Sequence, residues 1–368
     1  MIDSKARKVI VAEPTLLAYR IKEAICRVLF TYFQVPSVTF LSSHVLALAS
    51  TGLRTGLVVD IGWHDTKVLP VFAFGIELTK IYELRPLNPF IQVSPIACKA
   101  LHARVGYLLQ HHCTPALTST SFRTIDDFLV RALYTPSQPN TYTHITTNGL
   151  IPNEKLKEVY ETDPSDTIKW YVSSQKKELY VPRWICSRAT EIFFEGDRSG
   201  IEPDTDEIGL ATTIITCLLR LPKDVRAKVM QSVVIVGGGA AIPGFRSRVH
   251  ASLETKWFEK VARKGIHRST TPEGTPPSTA RGMEEDTPLT MGDLSPRKRF
   301  GAFKFIQANP LEATFQGASL LGDVKVRGIV EVSRETFNNS QGRGVRDWTH
   351  VGGLGEDGVE ESNRKSRS

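Results

Sequence analysis

The residues best suited to chemistry lie in two glycine-punctuated stretches, Gly56-Leu57-Val58-Val59-Asp60-Ile61-Gly62-Trp63-His64-Asp65-Thr66-Lys67 and Val233-Val234-Ile235-Val236-Gly237-Gly238-Gly239-Ala240-Ala241-Ile242-Pro243-Gly244-Phe245. In each, an apolar run stops at glycine, which predicts a buried strand feeding a tight turn. Glycine removes the Cβ that would hold a ligand off the backbone, so N–H groups at such turns can approach a phosphate or an adenosine. Asp60 carries a carboxylate into the first of these turns. Asp60, Gly62, Gly237, Gly238 and Gly239 are therefore the candidate ligand contacts. One such turn is common; an ordered pair on separate strands is how a nucleotide cleft between two domains is built.

Other reactive residues do not converge in this way. His111-His112-Cys113 places potential metal ligands side by side, but adjacent residues on a helix or strand point in different directions, and no metal site is expected. The five cysteines are far apart in the chain and odd in number, a usage that suits reduced thiols. Thr271, Thr275, Thr287 and Ser295 each precede proline, and Ser295-Pro296-Arg297-Lys298 fits a proline-directed phosphorylation site.

The elements that must position the two turns alternate in type. Lys8 to Ala12 predicts a strand, Leu16 to Phe33 a helix with an apolar stripe at Ile21, Ile25, Val28, Leu29 and Tyr32, Ser37 to Leu41 a strand and Ser43 to Ser50 a short helix. Leu57 to Val59 and Val68 to Phe74 flank the polar turn as a hairpin. Helices are expected at Cys98 to Leu109, Ile125 to Leu133, Pro182 to Phe194, Asp206 to Leu219 and Phe245 to Phe258, with a loop over Tyr134 to Gly149. Strands alternating with helices imply an α/β fold with helices packed against sheets.

Hydrophobic residues make up 41% of the 368 positions, enough for one large or two medium cores. The formal net charge is +7, but Lys and Arg are interleaved with Asp and Glu and form no stripe with aromatic residues, which argues against a nucleic-acid partner. No apolar run reaches the length of a bilayer span, and Met1-Ile2-Asp3-Ser4-Lys5 opens without the apolar stretch of a secretory signal, so neither membrane insertion nor secretion is expected.

These residues resemble the actin-related proteins. Gly56 to Lys67 resembles the second phosphate hairpin of actin, an Asp-Ser-Gly-Asp-Gly pattern, and Val233 to Phe245 resembles the adenosine-side segment Ser-Gly-Gly-Thr-Thr-Met-Tyr-Pro-Gly. Arg188 to Phe194, Lys223 to Arg226 and Phe315 to Ser319 resemble further actin segments in the same order. Within the superfamily, Val28-Leu29-Phe30, Tyr32 to Val38, Ser43 to Leu48 and Arg346-Asp347-Trp348 are most similar to the divergent, fungal-like actin-related proteins of the dynactin pointed end, the tenth and eleventh classes.

That resemblance implies an actin-like, ribonuclease-H-like two-domain α/β fold around a cleft, with ATP or ADP and Mg as the family's ligand. It divides the chain into a partial first domain over 1–86, a second domain with a variable inserted lobe over 87–262, and a disordered Pro/Thr-rich insertion over 263–300. A return to the first domain over 301–337 and a flexible tail over 338–368 complete the division. The first phosphate hairpin and the small lobe are expected to be missing, leaving the fold N-terminally incomplete with an exposed sheet edge.

Where actin has the glutamine that orients the attacking water stands Ser43, beside His44, and the assisting histidine is replaced near Thr79 and Lys80. Bulky Trp63 and His64 are expected to crowd the phosphate turn. Because water positioning and charge stabilisation carry phosphoryl transfer, the resemblance implies a non-catalytic structural subunit. Its expected partners are actin-like filament subunits and other dynactin pointed-end subunits, in the cytoplasm on the cytoskeleton. The alternatives are an actin-superfamily ATP-binding protein with weak ATPase activity, and a nuclear actin-related subunit of a chromatin complex.

Overall fold

A computed structural model of the chain describes residues 7–15, 17–73, 84–115, 121–136, 166–172, 176–195, 208–268, 302–323 and 331–340, with side chains up to Lys260 in the segment that ends at 268. The Ser/Thr-Pro sites, Thr79, Lys80, most of the expected insertion, most of the loop before Gly149 and Arg346 to Trp348 lie outside the described residues.

In chain order the structure opens with β1 (Val9–Glu13), α1 (Tyr19–Thr31), β2 (Ser37–Ser42) and α2 (Ser43–Ala49). There follow β3 (Gly56–Ile61), β4 (Thr66–Ala73), β5 (Leu84–Pro86), β6 (Gln92–Ser94), α3 (Cys98–His112) and α4 (Phe122–Ala132). Next come β7 (Thr167–Val172), β8 (Lys177–Pro182), α5 (Trp184–Thr190), α6 (Ile192–Glu195), α7 (Leu210–Arg220) and α8 (Lys223–Met230). The last described elements are β9 (Val233–Val236), α9 (Phe245–Arg268), α10 (Ala313–Asp323), β10 (Glu331–Ser333) and α11 (Arg334–Asn339). Contacts group them into two compact units. The first comprises the described parts of Met1–Gly56, Pro70–Pro89 and Glu312–Ser368, the second those of Leu57–Leu69 and Phe90–Leu311.

The first unit is built on a β1-α1-β2 crossover. β1 and β2 run parallel in the register Val9↔Val38 to Glu13↔Ser42, and parallel strands need such a crossover to join them. β10 pairs antiparallel with the other edge of β2, Val332 facing Val38. Cys26 and Phe30 of α1 meet Val35, Val38, Val332 and Phe337 in one core cluster. Full burial of each such aliphatic or aromatic side chain contributes about 1.5–3 kcal/mol. α2 is buried from His44 to Ala49, and α10 crosses it closely, because a Cβ on Gly317 would overlap the Leu46 carbonyl oxygen.

In the second unit β3 and β9 run parallel, from Leu57↔Val233 to Asp60↔Val236. All four residues of β9 are buried, as are all of β3 except Asp60, the continuous apolar pattern of strands covered on both faces. The start of β4 pairs with β6, Thr66 opposite Ser94. β7 and β8 form an antiparallel hairpin whose Trp170, Val172, Leu179 and Val181 face inward.

The main differences between the sequence division and the contact grouping concern the hairpin and the segment after 301. The hairpin segment Leu57–Leu69 falls in the second unit rather than in 1–86, because β3 is paired along its length with β9. The chain also stays with the second unit up to Leu311 rather than leaving it at 301. Val233 N–H donates to the Lys304 carbonyl at 2.9 Å, Ile306 N–H to the Val233 carbonyl at 2.8 Å, and Glu254 accepts from Phe303 N–H at 3.1 Å. α9 runs on to Arg268, beyond the end expected at Phe258.

Candidate functional site

The parallel pairing of β3 with β9 brings the two glycine turns side by side, so Asp60, Gly62, Gly237, Gly238 and Gly239 do converge at one end of the two strands, within the second unit. Gly237 adopts φ +93°, a region in which a side chain is strained. A Cβ there would overlap the Ile61 carbonyl oxygen and lie 2.6 Å from Asp60 Oδ1. Gly239 is equally confined, its Cβ position overlapping Ile61 Cγ2 and lying 3.2 Å from Cys98 Sγ. Gly238 differs: a Cβ there would meet nothing nearer than Cys98 Sγ at 4.0 Å.

Two further residues complete the cluster. Cys98, the first residue of α3, lies against both turns; its thiol is pushed up to about 11, chiefly by burial, with the backbone at Gly239 favouring the thiolate and the nearby Asp60 charge opposing it. All five cysteines are free. Lys67, on β4, holds both oxygens of Asp65 at 2.7 Å. Burial raises the Asp60 carboxyl above its ordinary range, the Lys67 charge pulls it down and the Asp65 charge pushes it up. Neither Cys98 nor Lys67 stood out as a site residue in sequence. Lys67 had one usable signal, a cation two residues from an acid inside a polar turn.

The turn itself is closed by its own backbone. Gly62 N–H donates to the Asp65 carbonyl at 3.1 Å, and the carbonyls of Gly62 and Trp63 accept from Cys98 N–H at 3.0 Å and Lys99 N–H at 2.9 Å. Those bonds satisfy two of the donors that a helix leaves unpaired at its start. Trp63 does not crowd the turn as expected. Its ring turns toward α3 and α4, edge-on to His102 at 5.5 Å and to Phe122 at 5.4 Å, while His64 is exposed.

A family model for actin matches residues 1–279, three quarters of the chain and all of this strand-and-turn arrangement. The chain belongs to the actin family. It is 21% identical over 286 residues to actin-related protein 10 of Dictyostelium discoideum, covering 73% of this chain and 57% of that protein. It is 24% identical over 254 residues to actin-related protein 2 of Saccharomyces cerevisiae, covering 69% of this chain and 57% of that one. The chain thus spans little more than half the length of these curated relatives.

Actin-family domains generally bind ATP or ADP with Mg, and the two sides of this site differ in how they suit that ligand. The glycine run leaves open space at Gly238. On the phosphate side Gly62, Cys98 and Lys99 N–H donate to backbone carbonyls, and the Lys67 ammonium is held by Asp65. Gly237 N–H donates to the Pro310 carbonyl at 2.9 Å. Among the described residues no three His, Cys, Asp or Glu side chains cluster to hold a metal ion, His111-His112-Cys113 included.

Ser43 and His44 lie in the first unit. His44 is almost fully buried, its Nδ1 2.8 Å from Thr15 Oγ1 and 3.3 Å from Ser43 Oγ. Among the described residues, no helix is long and apolar enough to cross a membrane.

Proposed function

We propose that this actin-family chain is a non-catalytic structural subunit that caps the pointed end of the dynactin actin-like filament, contacting filament subunits and the other pointed-end subunits in the cytoplasm, in support of dynein-driven transport. One observation supports the non-catalytic part: Gly62 N–H and the Lys67 ammonium in the Asp60–Lys67 turn are engaged inside the protein, whereas phosphoryl transfer needs donors aimed at the reacting phosphate. Ser43 adds to this, since its short hydroxyl stands where the resemblance places the water-orienting glutamine. The pointed-end part is supported by the likeness of Val28 to Val38 and Ser43 to Leu48 to that class and by the similarity to actin-related protein 10.

Purification tests this reading. The full chain mixed with an actin-like filament and pointed-end subunits is expected to co-elute with them on size exclusion. A chain that stays monomeric and never co-elutes sinks the proposal. ATP turnover abolished by Asp60→Ala favours instead an actin-superfamily ATPase.

A further inference from the structure

Two of the charged groups of the phosphate-side hairpin, Lys67 and Asp65, pair within the protein. Lys67 Nζ lies 2.7 Å from each oxygen of Asp65 and is only slightly exposed. Its charge also acts on Asp60, at the end of the adjacent strand β3. Asp60 in turn reaches the glycine run, with Oδ1 2.6 Å from where a Gly237 Cβ would stand. Two carboxylates converging on one turn ordinarily call for a cation, and a half-buried site screens that need poorly.

We infer that Lys67 is the built-in counter-ion of Asp65, beside Asp60, so that the Asp65 charge in this turn is met without a divalent cation. The ammonium supplies a positive charge on a tether, with no loading step and no dependence on metal concentration. The backbone bonds fit this arrangement: Gly62 N–H closes the turn on the Asp65 carbonyl, and Cys98 and Lys99 N–H tie it to the start of α3, so the Lys67 ammonium is left to offset the Asp65 charge. The inference stands apart from the filament reading, whose test measures assembly.

Thermal unfolding of the full chain tests it, with ATP and Mg as probes and a chelator as control. For the unsubstituted protein, the chelator is expected to leave the midpoint unchanged to within about 1 °C, with or without millimolar ATP. Lys67→Met is expected to lower the midpoint, and millimolar Mg or Ca to restore part of it by taking the vacated place. Asp65→Asn keeps the fold neutral at that position and releases the ammonium. It is expected to gain a midpoint rise with metal-free ATP of at least about 2 °C that the parent lacks. A Mg-ATP stabilisation of the parent chain by several degrees that the chelator abolishes overturns the inference. So does a folded Lys67→Met chain indifferent to divalent cations. If Lys67→Met does not fold, Asp65→Asn decides alone, and absence of the ATP-dependent rise contradicts the proposal.

Discussion

The Arg248 guanidinium lies 2.8 and 3.1 Å from the two oxygens of Glu191, with both side chains buried at 3% and 5% exposure, and stacks 4.8 Å over the Phe194 ring. The pair joins α9 to the turn between α5 and α6, so it fixes the helix that follows the glycine run. A buried ion pair holds its place only while both partners are present, because either charge alone keeps its desolvation cost. Glu191→Gln or Arg248→Met is therefore expected to destabilise the fold by about 3–5 kcal/mol, read by chemical denaturation. The double substitution should lose much less than the sum of the two. Additive losses would show that the two groups act independently.

Gly237 and Gly238 are neighbours with opposite surroundings. Gly237→Ala meets a φ of +93° and the Ile61 carbonyl, and should lower stability by at least about 1–2 kcal/mol. Gly238→Ala enters open space and should stay within about 0.5 kcal/mol of the parent. Denaturation midpoints measured side by side distinguish them, and equal losses would overturn the steric account of this turn.

Asp60 carries a pH dependence of definite sign. Its folded-state carboxyl is raised by burial, against the pull of Lys67 and with the push of Asp65. A raised group contributes stability at pH below its unfolded value and loses it as pH climbs through the folded value. Asp60→Asn is thus expected to be more stable than the parent at neutral pH, with the gain vanishing below about pH 4, where the unfolded carboxyl is also protonated. A loss of stability at neutral pH would mean that the carboxylate is held by an attraction stronger than its burial cost.

Much of the second unit is legible along the chain because its signals are local. Val233–Val236 is an unbroken β-branched run ending at glycine, and it is a buried strand with those bounds. The convergence of Asp60 with Gly237 follows from two such strands, although their parallel register does not appear in either stretch alone. In the hairpin β7–β8, inward Trp170 and Val172 alternate with outward Lys169 and Tyr171, a period of two that is also local. β10 is different. It is three residues long, and its partner β2 lies near the other end of the chain, so nothing local marks it. The direction of the Trp63 ring is not local either: it is set by His102 and Phe122, about 40 and 60 residues further on, and not by the turn that carries it. Lys67 was visible, but whether a lysine in a turn faces a ligand or a neighbouring carboxylate depends on backbone geometry that its position does not encode.

A chain that ends a filament, rather than building or decorating one, is present in a copy number independent of filament length. Counting labelled chains per filament by single-molecule photobleaching, on actin-like filaments of graded length, tests it most directly. The account expects a single copy at one end whatever the filament length; a copy number that grows with length, or labels spread along the sides, would contradict it.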